Sequence, residues 1–299
     1  GSGKKNLTNT RDSHELYPQA SPDGSRVCFI NDVGEGRKVV RSVCVMDADG
    51  SNRKTVAEHA RQPFWTADSK SVGYLPQEFK KFNIVDYFSN GLRYYEVSNG
   101  KDQAHPNSDK LHHLYNPSSG ANGKWIASTV HAGMGHKHAI LLLEAKGRDI
   151  LNLHIGGCRP SLSPDGKKIA WGETDHKITV AELKMEDEKP KVGRRLIEIV
   201  HPKDKIYHVD WAPDSVHLSF SRGVPSKGDL TKRGTHEAPC EMVGIYAKGW
   251  DIFVVAMPED NGGGMKTIDL TTAGPESFAT VTGNGRSNKE PTWLNHPAK

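Results

Sequence analysis

Histidines are the residues of this sequence whose type and spacing could do chemistry. His14, His59 and His113 each stand seven residues before an anchor of a repeated phrase, and a glycine-rich segment contains a His-x-His pair. Neutral imidazoles bind divalent transition metals such as Mn and Zn. One interpretation of the pattern is a metal site, whose candidate ligands are His14, His59, His113, His131, His136 and His138. The other interpretation is that these are ordinary histidines of polar loops, since the sequence contains 15 of them.

Four further residues are candidates for contact with a ligand. Arg61 and Arg159 stand near the start of repeat units, as do Lys205 and His208. Guanidinium groups bind carboxylates through two parallel hydrogen bonds. These positions predict an anionic ligand, either a uronate or a peptide carboxylate.

The elements that must position these side chains come from a repeated phrase, Ser-Pro-Asp-Gly followed by alternating apolar residues. Complete copies occupy residues 21–29, 66–74, 120–128, 163–171 and 212–220, and a degenerate start lies at 293–297. Pro-Asp-Gly favours a tight turn, and alternation with a period of two indicates a strand with one buried face. Weaker strand patterns follow in most copies, which gives four strands in roughly 45 residues, the unit of a β-propeller blade.

The repeat count predicts an all-β fold, a β-propeller of four-stranded antiparallel blades. Five complete repeats plus a terminal partial one favour six blades. A single domain is expected over residues 1–299, with blades starting near 17, 62, 113, 159, 208 and 290 and a long insertion at 223–249. Proline recurs three residues before most anchors, and tryptophan recurs directly before three of them.

The phrase SPDG-[KS]-x-[IV]-x-[FW], followed by VMDADG, resembles the PD40 (WD40-like) repeat of TolB-like propellers. This resemblance implies the propeller fold and a function among binding proteins, peptidase lids and carbohydrate lyases. Oligogalacturonate lyases of this type hold a divalent metal with rim histidines. This chain is similar to them in its rim histidines, and it has Gly133 three residues before His136, where they have glutamine.

Loop lengths distinguish the two rims of the predicted propeller. The rim with the SPDG turns has short connections, whereas the opposite rim carries the segments 76–90, 130–138 and 223–249. We expect function on the rim with long loops, because binding residues concentrate on loops that a rigid scaffold positions.

The four cysteines allow two disulfides, Cys28 with Cys44 on adjacent strands and Cys158 with Cys240 on the rim with long loops. Disulfides persist in oxidising compartments. Together with the repeat type, these pairings predict a periplasmic or secreted bacterial protein; the other interpretation is four buried thiols.

Forty basic and 36 acidic residues leave a net charge of +4, which argues against a nucleic-acid partner, and no stretch is apolar enough to span a membrane. Three functions stay open. The first is a module that binds a protein partner or an acidic glycan, the second is a metal-dependent uronate lyase that uses the rim histidines, and the third is a subunit of a hetero-complex.

Overall fold

The computed structural model describes residues 6–83, 85–120, 123–225, 249–257, 263–274, 278–281 and 291–294. Within these residues the chain forms five β-sheets, and the only helix is a short 3-10 turn at Gly36–Lys38. No helix in this part of the chain is long and apolar enough to cross a membrane.

Each sheet is a propeller blade whose first four strands follow one another in chain order, apart from the last strand of blade five. The innermost strands are β1 (Ser13–Ala20), β5 (Ala60–Trp65), β9 (Leu114–Ser119), β13 (Cys158–Leu162) and β17 (Lys205–Trp211). The second strands are β2 (Arg26–Val33), β6 (Ser71–Pro76), β10 (Trp125–Gly133), β14 (Lys168–Thr174) and β18 (His217–Gly223). The third strands are β3 (Val40–Asp47), β7 (Arg93–Glu96), β11 (His136–Glu144), β15 (Lys177–Glu186) and β19 (Trp250–Ala256). The outer strands are β4 (Lys54–Glu58), β8 (Asp102–Ala104), β12 (Ile150–Asn152), β16 (Lys189–Val200), β20 (Lys266–Asp269) and β21 (Phe278–Thr280).

In blades one, two, four and five, the SPDG phrase forms the turn between the first and second strands. In the first copy, the Asp23 carboxylate accepts hydrogen bonds from the Ser21 hydroxyl and the Ser25 amide. The Asp23 amide in turn donates to the Ser69 hydroxyl of the next blade. The turns therefore fix their own geometry and also join neighbouring blades. We call the end of the propeller that carries these turns the turn rim, and the opposite end the loop rim.

Tryptophans before the anchors also join successive blades. The indole N–H of Trp65 donates to the Gln19 carbonyl at 2.9 Å, and that of Trp211 donates to the Ser161 carbonyl at 3.2 Å. Both rings are almost fully buried among the aliphatic residues that pack between blades. The recurrence of tryptophan in the sequence thus reflects a repeated contact between blades.

The prediction of six blades is wrong, because the described residues form five sheets. Of the predicted sixth blade, which starts near 290, the structure describes residues 291–294, and these form no strand. These residues lie instead between blades five and one. There the Ala20 amide donates to the Thr292 hydroxyl, and the Trp293 indole donates to the Asp210 carbonyl.

Two blades depart from the simple repeat. Strand β20 pairs in parallel with β16 and so adds a fifth strand to blade four, while β21 completes blade five. Of the long insertion predicted at 223–249, residues 226–248 lie outside the described residues.

The predicted disulfide between Cys28 and Cys44 is wrong. The register pairs Cys28 with Val45 and Cys44 with Phe29, so the two cysteines are offset by one residue and do not lie opposite each other. Successive strand residues face opposite sides of a sheet, and the two thiols therefore lie in different core clusters. Burial raises the pKa of both thiols. Cys158 is also a free thiol, and Cys240 lies outside the described residues.

Candidate functional site

A β-bulge in every innermost strand turns one side chain toward the propeller axis. At the bulge, the residue at the equivalent position has a positive φ between 48° and 55° in all five blades. Four of the five precede proline, which has no N–H to donate to the sheet and is tolerated at a bulge. The five residues are Tyr17, Gln62, Asn116, Arg159 and His208.

Side chains of this axial ring bond across blades. The Gln62 side-chain oxygen accepts from the Asn116 amide, and the Asn116 side chain donates to the Tyr17 hydroxyl at 2.7 Å. The left-handed backbone conformation costs a non-glycine residue roughly 1 kcal/mol. Hydrogen bonds between blades offset that cost and hold the axis rigid.

Arg159 is the centre of a buried polar cluster that joins four blades. Its guanidinium donates to the Asp86 carboxylate at 3.0 Å and to the Cys158 sulfur at 3.3 Å. It also lies over the rings of Tyr115 and Tyr207, 5.6 and 5.2 Å from their centroids. Burial alone lowers the pKa of Arg159, but Cys158, Asp86 and the two tyrosines outweigh it and raise that pKa above its usual value. Arg159 is therefore always protonated, and its ion pair with Asp86 holds the blade-two loop at the propeller axis.

Arg61 is a second residue that holds the blade-two loop, through hydrogen bonds to its backbone. Its side chain is 1% exposed, and its guanidinium donates to the Val85 carbonyl and, at 2.9 Å, to the Asn83 carbonyl. Burial, together with the nearby charge of Arg41, lowers the pKa of Arg61 to about 9. With both terminal nitrogens bonded to backbone, Arg61 holds the loop in place.

The third anchor of the blade-two loop is a side-chain hydrogen bond to blade three. The Glu78 carboxylate lies 2.9 Å from Nε2 of His113, while Nδ1 of His113 lies 3.0 Å from the Ala132 carbonyl. Both ring nitrogens of His113 thus face oxygen acceptors. This arrangement ties the loop, the His113 segment and the blade-three hairpin into one unit.

The blade-three hairpin brings two of the predicted histidines together. His131 and His138 pair across β10 and β11, and their ring centroids are 5.5 Å apart. Met134 and Gly135 both have a positive φ at the tip, as a two-residue type I′ turn requires. Nε2 of His138 lies 3.0 Å from the Tyr115 hydroxyl. Partial burial, together with the charges of His131 and Arg159, lowers the pKa of His138.

Aromatic rings from the blade-two loop pack against these imidazoles. Tyr87 lies 4.4 Å from the His131 ring and 4.9 Å from Phe88, and Phe88 packs edge-on against Phe79. Phe79 is 49% exposed, which is unusual for a large apolar side chain. We call the following set the histidine–aromatic face: Phe79, Tyr87, Phe88, His112, His113, His131 and His138.

The predicted metal ligands do not form a coordination group in the described part of the chain. No set of three or more His, Cys, Asp or Glu side chains there is placed to hold a metal ion. His14 lies on β1 opposite Asp32, His59 lies in the connection before β5, and His136 lies beside the hairpin tip. Metal binding by these histidines stays a prediction.

The other predicted ligand-binding residues are dispersed. Lys205 pairs with Asp175 at 3.3 Å on the loop rim. His208 is buried in the axial ring, whereas Arg61 lies beneath the blade-two loop. Of the four, only Arg159 and His208 line the same small axial cavity.

Sequence reasoning missed Glu78, Asp86 and Tyr115, which hold the site together. Their partners lie far along the chain, and Asp86 precedes Arg159 by 73 residues. The recurring proline after the axial residues was a usable signal, because it marks the bulge in four blades.

No protein-family model matches the sequence, and no curated protein matches it. Among solved structures, the chain is similar to TolB from Acinetobacter baumannii, with 14% identity and a TM-score of 0.48 over 82% of this chain and 50% of that one. An oligogalacturonate lyase in complex with manganese has 11% identity and a TM-score of 0.44, over 82% and 62% of the two chains. The β-propeller domain of the Trilobed protease from Pyrococcus furiosus has 10% identity and a TM-score of 0.45, over 83% and 80%. The chain thus spans half of the TolB chain and less than two thirds of the lyase. Its assignment as a propeller rests on the sheet order described above.

Proposed function

We propose that this chain is a non-catalytic binding module of the TolB-like type that holds an acidic glycan on the histidine–aromatic face. The observation that carries the proposal is the rigid attachment of the blade-two loop through three independent anchors: Glu78 to His113, Asp86 to Arg159, and Arg61 to two backbone carbonyls. A surface that is ordered before binding loses less conformational entropy when a ligand arrives. The exposed ring of Phe79, with the half-buried rings of Tyr87 and Phe88 beside it, suits stacking against sugar rings.

Charge on this face favours an anionic ligand. Of the two carboxylates beside it, Asp86 pairs with Arg159, and Glu78 is hydrogen-bonded to His113. Lys80 and Lys81 on the same loop are exposed and make no ion pair with any described residue. Residues 78–83 also line an open hollow of about 490 Å³ beside the aromatic rings. The two lysines therefore present positive charge to a ligand bound next to these rings.

The TolB-like assignment and an extracytoplasmic location, periplasmic or secreted, are part of the same proposal. The repeated SPDG phrase supports both. The thiol state of Cys28 and Cys44 removes one earlier argument for that location. A role within a hetero-complex, with a protein on this face, is the competing form of the binding hypothesis.

Calorimetric titration with oligogalacturonate, and with a neutral galactose oligomer of equal length, tests the proposal. We expect saturable binding of the acidic oligomer alone, weakened several-fold by added salt because exposed charges are screened. Tyr87→Ala and the Lys80→Ala/Lys81→Ala double variant should each weaken it. The matched control is Lys70→Ala/Lys167→Ala, which removes two exposed lysines from the turn rim. Equal binding of both oligomers, or an equal effect of the control variant, would refute the charge argument.

The same sample tests the lyase alternative. His131 and His138 form a close imidazole pair, which is the observation that keeps a metal-dependent reaction in view. Incubation of a uronate polymer with the protein and Mn²⁺ or Zn²⁺ would then produce the ultraviolet absorbance of an unsaturated uronate. We expect no such product, and its appearance at a rate dependent on His131 and His138 would replace the binding proposal with an enzymatic one.

A further inference from the structure

A second cavity lies on the propeller axis at the turn rim, at the end remote from the histidine–aromatic face. It measures about 240 Å³, and the ends of all five innermost strands and residues 292–293 line it. Pro22, Pro164 and Pro213 of three SPDG turns form part of its wall, which places its mouth at the turn rim. This cavity is separate from every residue used in the proposed function.

The lining is uncharged except for one carboxylate. Its polar residues are mainly serines, a glutamine and a threonine, its aromatic residues include Trp65, Trp211 and Trp293, and its only ionisable residue is Asp210. A carboxylate removed from bulk water strongly favours an opposite charge nearby. No described cation faces Asp210 inside this cavity.

The Asp210 carboxylate has acceptor capacity left for a ligand. It accepts hydrogen bonds from the Thr292 hydroxyl and from the backbone amides of Trp293 and Trp211. An ionised carboxylate offers about four acceptor positions. Burial raises the pKa of Asp210 to about 7, as expected for a carboxyl group without a cationic partner.

A narrow extension of the cavity along the axis contains a second unused acceptor. This extension, of about 40 Å³, shares Gln19, Ser118, Ser161 and Asp210 with the larger cavity and ends at the axial ring. There the side-chain oxygen of Asn116, a residue 7% exposed, has no hydrogen-bond partner among the described residues. Besides Asp210, the titratable groups that face the extension are Tyr17, His208 and Arg159, which is paired with Asp86.

We propose that the axial cavity at the turn rim is a binding site for a small organic cation, a primary ammonium group attached to a compact apolar body. The ammonium group would pair with Asp210, since it carries three N–H donors and the cavity presents acceptors. The apolar body would contact the tryptophans and prolines at the mouth, where indole rings also attract cations. A few convergent polar groups in a concave, partly apolar pocket are the common pattern of small-ligand sites.

Benzylamine and its neutral counterpart benzyl alcohol test this site on the full chain. Binding is followed by the indole N–H resonances in nitrogen-15 spectra. Benzylamine should shift the Trp65 and Trp211 signals saturably and leave that of Trp250 unchanged, because Trp250 packs against Tyr207 of the loop-rim cluster. Asp210→Asn should weaken benzylamine about ten- to hundred-fold, as expected for loss of a charged hydrogen-bond partner, and should leave benzyl alcohol unaffected.

Proton linkage gives an independent readout. Between pH 6 and pH 8 the affinity for benzylamine should rise about tenfold in the unaltered protein, since Asp210 ionises in this range, and should stay level in Asp210→Asn. Glu188→Gln, which removes one exposed carboxylate from the β15–β16 turn, is the matched control. Thermal unfolding of Asp210→Asn establishes that this variant folds. Benzylamine binding that is unaffected by Asp210→Asn, matched by benzyl alcohol, or absent at millimolar concentration would overturn the proposal.

Discussion

Replacing Asp86 with alanine removes the anion that faces the buried Arg159 guanidinium. The pair is 3.0 Å long, and the two side chains are 8% and 13% exposed. Breaking a buried ion pair by deleting one partner costs about 3 to 5 kcal/mol, because the remaining charge is left uncompensated. The Cys158 sulfur and the two tyrosine rings still face the guanidinium, so we expect the lower figure, about 3 kcal/mol.

Urea unfolding measures this loss. At about 2 °C per kcal/mol for a chain of this size, Tm should also fall by roughly 6 °C. Detachment of the blade-two loop should let its backbone enter the trypsin active site, so that cleavage after Lys80 and Lys81 becomes faster, and limited proteolysis reads out that effect separately. The control Asp109→Ala removes an exposed carboxylate and should change the unfolding free energy by less than about 0.5 kcal/mol.

A double variant separates the lost pairing from lost packing. Asp86→Ala combined with Arg159→Met removes both charges, so the combination should be less destabilising than the sum of the two single changes. The reasoning fails if Asp86→Ala alone costs less than about 1 kcal/mol, the range of an exposed ion pair. It also fails if the two changes are additive.

Two further predictions concern stability and the cysteines. In the folded chain the pKa of Asp210 is about 7, compared with about 3.9 for an unfolded aspartate, so the folded state binds this proton more tightly. The resulting stability is fully present below pH 4 and is lost as pH rises to about 7, by at most about 4 kcal/mol. Urea unfolding of Asp210→Asn across this range should lack that component, and parallel curves for the two proteins would contradict it. A Cys158→Ser/Cys240→Ser variant, denatured without reductant, should show two free thiols from Cys28 and Cys44; a count of zero would mean that they form a disulfide.

Local sequence patterns predicted most of the strands and turns, because each blade is encoded by its own phrase. The SPDG turn has its hydrogen bonds within five residues, so its chemistry is visible in the sequence. Strand pairing at the edges was not visible in the same way. Residues 266–269 form a strand that pairs with β16 of blade four, and nothing in the local pattern of this strand specifies that partner.

The sequence indicated part of the composition of the histidine–aromatic face. Long loops and histidines pointed to the loop rim, where this face lies, and the His131–His138 pair follows from a hairpin with a two-residue turn. A function on this rim stays a prediction. Contacts between blades could not be predicted from the sequence, because Arg159 and Asp86 come together only when the blades pack against each other. The error over Cys28 and Cys44 has a similar origin: adjacent strands were inferred correctly, but the register decides which face each sulfur occupies.

Because of the bulge in each innermost strand, the residue that faces the axis can change without a change in the strand pairing that stabilises the fold. Backbone geometry, and not the identity of the side chain, directs one residue per blade inward, as the five different residue types at these positions demonstrate. A polar substitution in the ring would therefore alter what the axis can bind while the surrounding sheets keep their pairing. Each blade thus contributes one variable position to a constant frame, and five such positions allow many different binding sites to be built on one architecture.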